Sequence, residues 1–138
     1  MKKLLIILIS ILFISSNLIT SCKKYVDGPA FSLLTKKARL TGNWTLQTYT
    51  YNGNDLTALF GGNFKMNIKK DGTYQTTIGT ASDEGKWKFG EDKDDVYFDS
   101  NTAGVAEEAY RILRLKNKEL WLRQTASNGD EEIYKLKQ

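Results

Sequence analysis

Apolar and polar residues alternate with a period of two through most of this chain, in short runs that begin at Gly42. Turn-forming residues separate the runs at intervals of about ten residues, which is typical of half-buried β-strands. Asp71-Gly72 is a strong hairpin signal, and Asn52–Gly62 is the longest irregular segment. The pattern predicts eight short strands, most of them joined by tight turns.

Eight strands joined in order by hairpins form an antiparallel meander. We therefore expect an all-β domain, an eight-stranded up-and-down barrel whose closure leaves no exposed strand edges. A β-sandwich is the competing fold, and it needs a long crossover for which only Asn52–Gly62 has the length. The run Tyr110–Leu115 is predicted to be a strand, but it holds too many apolar residues for its inner face to be chosen.

Residues 1–21 have the features of an export signal. Met1-Lys2-Lys3 is positively charged, and Leu4–Ile14 is an almost unbroken apolar run. At a rise of about 1.5 Å per residue, this run falls well short of the roughly 30 Å hydrocarbon core of a bilayer. We interpret the segment as a signal peptide and not as a transmembrane helix.

Residues 22–39 are predicted to form a tether and a short N-terminal helix, ahead of a barrel domain at residues 40–138. Pro29 suits the first turn of a helix, which we expect from about Ala30 to Arg39. One face of this helix would carry Phe31, Leu34 and Ala38.

The chain has a net charge of +4, but its positive charge lies outside the predicted barrel. From Leu40 onward there are 13 Lys and Arg against 15 Asp and Glu, a net charge of −2, and the two signs are interspersed. Nucleic-acid-binding proteins instead present a basic patch or stripe. We expect no nucleic-acid partner.

The chain contains no histidine, so it lacks the commonest general base and the commonest metal ligand. Asp92-x-Asp94 begins like a calcium loop but lacks its glycine and its distal glutamate. Neighbouring residues on a strand point to opposite faces, so adjacent carboxylates cannot form a catalytic dyad. The adjacent acidic pairs are interpreted as solvated surface charges: Asp94-Asp95, Glu107-Glu108 and Glu131-Glu132. We expect no catalytic residue, metal site or cofactor, and hence no enzyme.

Ile19-Thr20-Ser21-Cys22 resembles the lipobox of bacterial lipoproteins. The resemblance implies a diacylglycerol group on Cys22, cleavage of the signal ahead of it, and an anchor in a membrane. Lys23 and Lys24 are neither the aspartate of inner-membrane retention nor the acidic run linked to surface export. The expected location is the periplasmic face of the outer membrane of a Gram-negative bacterium. Cys22 is the only cysteine, so the domain must fold without an internal disulfide.

The order of a helix-like segment, Gly42-Asn43-Trp44, a strand meander and a late Leu120–Arg123 resembles the lipocalin and wider calycin group. It is most similar to the small lipocalin-like lipoproteins of Gram-negative bacteria. The resemblance implies that Gly42 and Trp44 open the first strand, and that a helix closes the lower end of the barrel. It also implies that Arg123 packs across the Trp44 ring, with Arg111 and Arg114 as rivals. These strands are shorter than those of a typical lipocalin, so we expect a shallow or filled calyx.

The predicted inward residues would either fill a core, which is the favoured interpretation, or line a ligand cavity. They are Leu46, Phe64, Met66, Tyr74, Trp87, Phe98 and Leu122. In the long loop, Leu56, Leu59 and Phe60 are expected to form a lid over the barrel mouth or a contact patch.

Two functional hypotheses follow. In the first, a membrane-anchored, non-catalytic barrel binds a small hydrophobic ligand at its mouth. In the second, a filled barrel is an interaction or structural module that binds a protein partner in the cell envelope and takes no ligand.

Overall fold

The computed structural model describes residues 33–60 and 62–138. Its elements are helix α1 (Lys36–Leu40) and strands β1 (Gly42–Tyr51), β2 (Asn54–Asp55), β3 (Phe64–Ile68), β4 (Thr73–Ile78), β5 (Ala81–Phe89), β6 (Asp95–Ser100), β7 (Glu108–Leu115), β8 (Glu119–Thr125) and β9 (Glu131–Lys137), with a 3-10 turn at Thr57–Phe60. The predicted signal peptide and Cys22 lie outside the described residues. Within the described residues, no helix has the length and apolar character needed to cross a membrane.

The eight long strands form a closed antiparallel barrel, as predicted. Consecutive strands from β3 to β9 pair as neighbours, and β1 closes the ring by pairing with both β3 and β9. The first half of β1, from Gly42 to Thr45, lies against β3, and its second half, up to Tyr51, lies against β9. We call the end of the barrel near Gly42 its lower end and the end near Tyr51 its upper end. The two-residue β2 is an extra strand on the upper end of β1. The competing sandwich is therefore excluded.

Helix α1 is shorter than the predicted helix. Thr35 is its N-cap, because the Thr35 hydroxyl accepts a hydrogen bond from the backbone N–H of Ala38 at 3.1 Å. Leu33 and Leu34 precede this cap, and Leu34 is 44% exposed instead of lying on a buried helical face. The predicted helical conformation is therefore wrong for Leu33–Thr35, whereas residues 30–32 lie outside the described residues.

One end of the barrel, which we call the closed end, is sealed by α1 and a solid core. The Trp44 indole N–H donates to the carbonyl of Leu40 at 2.8 Å, and the Arg39 guanidinium donates to the carbonyl of Leu115 at 3.0 Å. These bonds tie the helix to the first strand and to β7. The largest fully buried side chains all belong to this core: Leu40, Trp44, Ile68, Val96, Ile112, Leu115 and Leu120.

Two β-bulges break the period of two. A register shift between Leu46 and Thr48 turns Tyr49 to the inner face of β1, where the continued alternation would have placed Thr48. A second shift, between Ile112 and Arg114, buries both Ile112 and Leu115 in β7. Two inward residues three positions apart cannot be recognised by alternation, which explains why the inner face of this strand was not predictable.

Gly85 provides a stability test, because it lets β6 approach β5 closely. A Cβ at this position would collide with the carbonyl oxygen of Asp99 and lie 2.8 Å from the Tyr74 ring. We expect Gly85→Ala to lower the free energy of unfolding by roughly 1–3 kcal/mol through overpacking. Gly90→Ala is the control. Its Cβ would lie 3.3 Å from the movable Tyr97 side chain, and the Cβ and carbonyl oxygen of Asp95 would be farther away, at 3.6 and 3.8 Å. If urea denaturation shows that both variants lower the free energy of unfolding by the same amount, this account is contradicted.

Candidate functional site

The end of the barrel opposite α1 opens into a cavity of about 290 Å³, which we call the mouth cavity. Its apolar wall consists of Phe64, Met66, Ile78, Phe98, Leu122 and Leu136. Its polar and amphipathic residues are Tyr74, Thr76, Asp83, Glu108, Tyr110, Gln124, Glu132 and Tyr134. The barrel is thus packed in its lower half and hollow in its upper half. The two predicted alternatives, a filled core and a ligand cavity, each describe one half of the interior.

Aromatic rings form a continuous network around the mouth cavity. Tyr134 lies near its centre, with its ring centroid 4.9 Å from Tyr49, 6.0 Å from Tyr110 and 6.1 Å from Phe64. The network continues from Tyr110 to Phe98 at 5.8 Å and then to Tyr74 at 5.0 Å, both edge to face. Edge-to-face contacts of this kind are favourable beyond the area they bury, so the wall is well defined.

Each of the three cavity tyrosines donates its hydroxyl proton to a cavity carboxylate. Two of these pairs join residues i and i+2 of one strand, which point to the same face. The donor and acceptor pairs are Tyr74 and Asp83 (2.7 Å), Tyr110 and Glu108 (2.7 Å), and Tyr134 and Glu132 (2.6 Å).

The environment of these pairs keeps the tyrosines neutral. Burial raises the pKa of Tyr110 and of Tyr134 far above its ordinary value, and the adjacent Glu108 and Glu132 carboxylates raise it further. Burial likewise raises the pKa of Tyr74, together with the hydrogen bond to Asp83. Each hydroxyl therefore remains a proton donor at physiological pH.

Asp83 is held in its ionised form. Burial acts to raise its pKa, but hydrogen bonds from Ser100, Tyr74 and Thr102 together outweigh burial and leave the pKa below its ordinary value. The Ser100 and Thr102 hydroxyls both donate to one oxygen of Asp83, and Tyr74 donates to the other. Both oxygens of this carboxylate therefore accept hydrogen bonds from the protein.

The interpretation of the acidic pairs as surface charges is confirmed for Glu107 and Glu108, which are exposed, whereas Glu131 and Glu132 are partly buried. Glu107 and Glu131 lie on the outside, where their carboxylates form ion pairs with Lys88 at 2.6 Å and with Arg123 at 3.5 Å. Glu108 and Glu132 line the mouth cavity instead. The repeated Glu-x-Tyr spacing, at 108–110 and 132–134, was the signal that could have identified them, since it places an acid and an aromatic residue on one strand face.

The structure places four of the predicted ligand residues in the cavity lining, namely Phe64, Met66, Tyr74 and Phe98. The other four lie elsewhere. Phe60 packs edge to face on the inward rings of Tyr49 (5.0 Å) and Phe64 (5.6 Å), Leu59 is 75% exposed, and Leu56 donates its N–H to the carbonyl of Tyr49. Trp87 belongs to the core, and its indole N–H donates to the carbonyl of Lys69 at 2.8 Å. Of the described residues of the long loop, Phe60 therefore packs on rings at the mouth, but none is among the residues that line the cavity.

The predicted contact between Arg123 and Trp44 is wrong. Trp44 is fully buried at the closed end, whereas Arg123 lies on the outer face of β8, between the inward Leu122 and Gln124. The rival arginines do not contact Trp44 either: Arg114 stacks on Trp121 at 4.6 Å, and Arg111 binds Asp95 at 2.7 Å. The arginine that is buried at the closed end is Arg39, from helix α1.

Comparison with known proteins adds no assignment. No family model matches the chain, and no curated protein matches it.

The cavity tyrosines should make the protein less stable in alkaline solution. Their pKa values in the folded state lie above the ordinary value of 10, so the unfolded state loses these protons first. Their contribution to the free energy of unfolding should therefore not change with pH below pH 10, and the free energy of unfolding should fall as the pH rises above 10. Denaturation midpoints between pH 8 and pH 11 would measure the decline, and Tyr110→Phe should reduce it. Ionisation of these tyrosines near pH 10 in the folded protein, seen in the absorbance at 295 nm, would contradict this account.

Proposed function

We propose that this chain is a non-catalytic binding protein that holds a small, largely hydrophobic molecule in its mouth cavity. The observation that carries the proposal is the aromatic-walled cavity of about 290 Å³. Pockets that bind small molecules are concave and mostly apolar, with a few placed polar groups and volumes of about 300–1,000 Å³. The mouth cavity lies at the small end of this range, which favours a ligand of one or two rings over a two-chain lipid.

The rest of the barrel supports such a site. Open cavities lower stability, and this domain has no disulfide to compensate, since its one cysteine precedes the barrel. The closed end supplies the compensation, because each fully buried large apolar side chain contributes about 1.5–3 kcal/mol. A solid lower half thus allows the upper half to remain open.

We also propose that the protein is a lipocalin-like lipoprotein anchored through Cys22, on the periplasmic face of the outer membrane. The support for the anchor is the lipobox-like Ile19–Cys22, which lies outside the described residues. The described chain enters the barrel through α1, at the closed end. A lipid anchor ahead of α1 would leave the mouth cavity open to the aqueous side.

The second candidate, an interaction module of the envelope without a ligand, is favoured by a different observation. Leu59, Ile78 and Val105 are exposed apolar side chains in segments at the mouth end of the barrel, and we call them the apolar rim, which another protein could cover. The cavity behind this rim makes ligand binding the better supported function, because a module that binds only through its rim has no need of an open interior.

Adjacent threonines of β4 provide a matched test of the ligand site. Thr76 lines the mouth cavity, whereas Thr77 lies on the outer surface. An indole at residue 76 should fill the cavity, so Thr76→Trp should weaken the binding of a hydrophobic fluorophore by about tenfold or more, the loss expected of a blocked apolar pocket. Thr77→Trp should bind as the unchanged protein does. Absence of saturable binding to the unchanged protein, or equal binding by both variants, would overturn the proposal.

The anchor is tested by mass spectrometry of the protein extracted from membranes. We expect the mature chain to begin at Cys22 and to carry the mass of its acyl groups, which together hold a protein firmly because each buried methylene contributes about 0.8 kcal/mol. Cys22→Ala should yield either a released chain or an uncleaved precursor, in both cases without acyl groups. An unmodified wild-type Cys22, or the same mass increment in the alanine variant, would disprove the lipid anchor.

A further inference from the structure

We infer that the ligand of the mouth cavity is a small organic cation, with an amine or quaternary ammonium nitrogen attached to an apolar body. The inference rests on the proposed function, since it names the class of molecule that the same cavity would take. It follows from the charges of the cavity wall, from its aromatic rings and from the partners of its carboxylates.

The wall of the mouth cavity carries negative charge without any positive charge. Among residues 33–60 and 62–138, those that line it include the three carboxylates Asp83, Glu108 and Glu132 and no lysine or arginine. A confined site of one sign concentrates ligands of the opposite sign and repels those of the same sign. A fatty acid or another organic anion would meet three carboxylates and no cation, so the cavity selects against it.

Glu108 and Glu132 have acceptor capacity left for a ligand. One oxygen of each, Oε2, accepts the hydroxyl proton of the tyrosine two residues along. Within the described part of the chain, no further hydrogen bond reaches Glu108, whereas the Glu132 carboxylate is also hydrogen-bonded to the Tyr49 hydroxyl. Neither carboxylate has a basic side chain of the described residues within ion-pair distance. A carboxylate can accept about four hydrogen bonds, so both carboxylates, oriented by the tyrosines, can still accept from an ammonium group in the cavity.

Glu107 and Glu131, which precede the cavity residues Glu108 and Glu132 in sequence, do have basic partners. Glu107 is paired with Lys88, and Glu131 with Arg123. The surface carboxylates next in sequence thus have basic partners, whereas Glu108 and Glu132 have none among the described residues. A cationic ligand would supply the missing charge.

The aromatic network favours an organic cation over a metal ion. The rings of Tyr74, Phe98, Tyr110 and Tyr134 surround the same space as the carboxylates, and the faces of aromatic rings attract cations. Within residues 33–60 and 62–138, no three acidic or cysteine side chains are placed to hold a metal. An ammonium group on an apolar body uses both the carboxylates and the rings, whereas a hydrated metal ion uses only the carboxylates.

The experiment compares three ligands that share one ring system and differ in charge. The purified full-length chain is titrated by calorimetry with 2-naphthylmethylamine, 2-naphthylmethanol and 2-naphthoate. We expect the amine to bind about tenfold or more tightly than the neutral alcohol, and the carboxylate to bind weakest. Equal or tighter binding of the alcohol or the carboxylate would overturn the inference and leave the proposed function standing. If none of the three ligands binds, both are overturned.

Paired variants identify the residues responsible. The double variant Glu108→Gln and Glu132→Gln keeps the shape of the cavity but removes two charges, so it should reduce amine affinity about tenfold or more and leave alcohol affinity unchanged. The matched control is Glu107→Gln with Glu131→Gln, which removes two charges from the outer face and should not change the affinity for either ligand. A preference for the amine that survives in the cavity variant, or that is lost equally in the control, would disprove the role of Glu108 and Glu132.

Discussion

Closure of the barrel through β1 is the constraint on which the remaining structure depends. This strand pairs with β3 near Gly42 and with β9 up to Tyr51, and no other strand of the described residues joins the two ends of the meander. The bulge between Leu46 and Thr48 falls near the point where the two pairings meet, and bulges increase the local bend and twist of a strand. The same bulge turns Tyr49 inward, so the irregularity that helps to close the barrel also adds a ring to the mouth.

Within the closed ring, side-chain chemistry changes in the same order along β7 and β9. From the closed end to the mouth, the inner face of β7 presents Leu115, Ile112, Tyr110 and Glu108, and that of β9 presents Leu136, Tyr134 and Glu132. On these two strands, aliphatic residues thus lie in the packed core, tyrosines lie at its upper boundary, and carboxylates lie at the mouth. Tyrosine suits the boundary because its ring packs against the core while its hydroxyl binds a carboxylate above it.

The sequence predicts the strands well because alternation and turn residues are local signals. It fails where tertiary packing decides. The inner face of Tyr110–Leu115 depends on a bulge, and Arg123 points outward because its neighbours Leu122 and Gln124 point inward. The cavity itself could not be predicted, since its volume is what remains after all inner side chains are packed. Glu108 and Glu132 were within reach, because their spacing from Tyr110 and Tyr134 is visible in the sequence.

The central claim is that one end of the barrel is sealed and the other accepts a small cationic ligand. Methyl NMR of the full-length chain during titration with 2-naphthylmethylamine tests this claim most directly. The account predicts saturable shifts in the methyl signals of Met66, Leu122 and Leu136, which line the mouth cavity, and much smaller ones in Leu40, Leu115 and Leu120, at the closed end. Shifts of equal size at both ends, or shifts that never saturate, would contradict it.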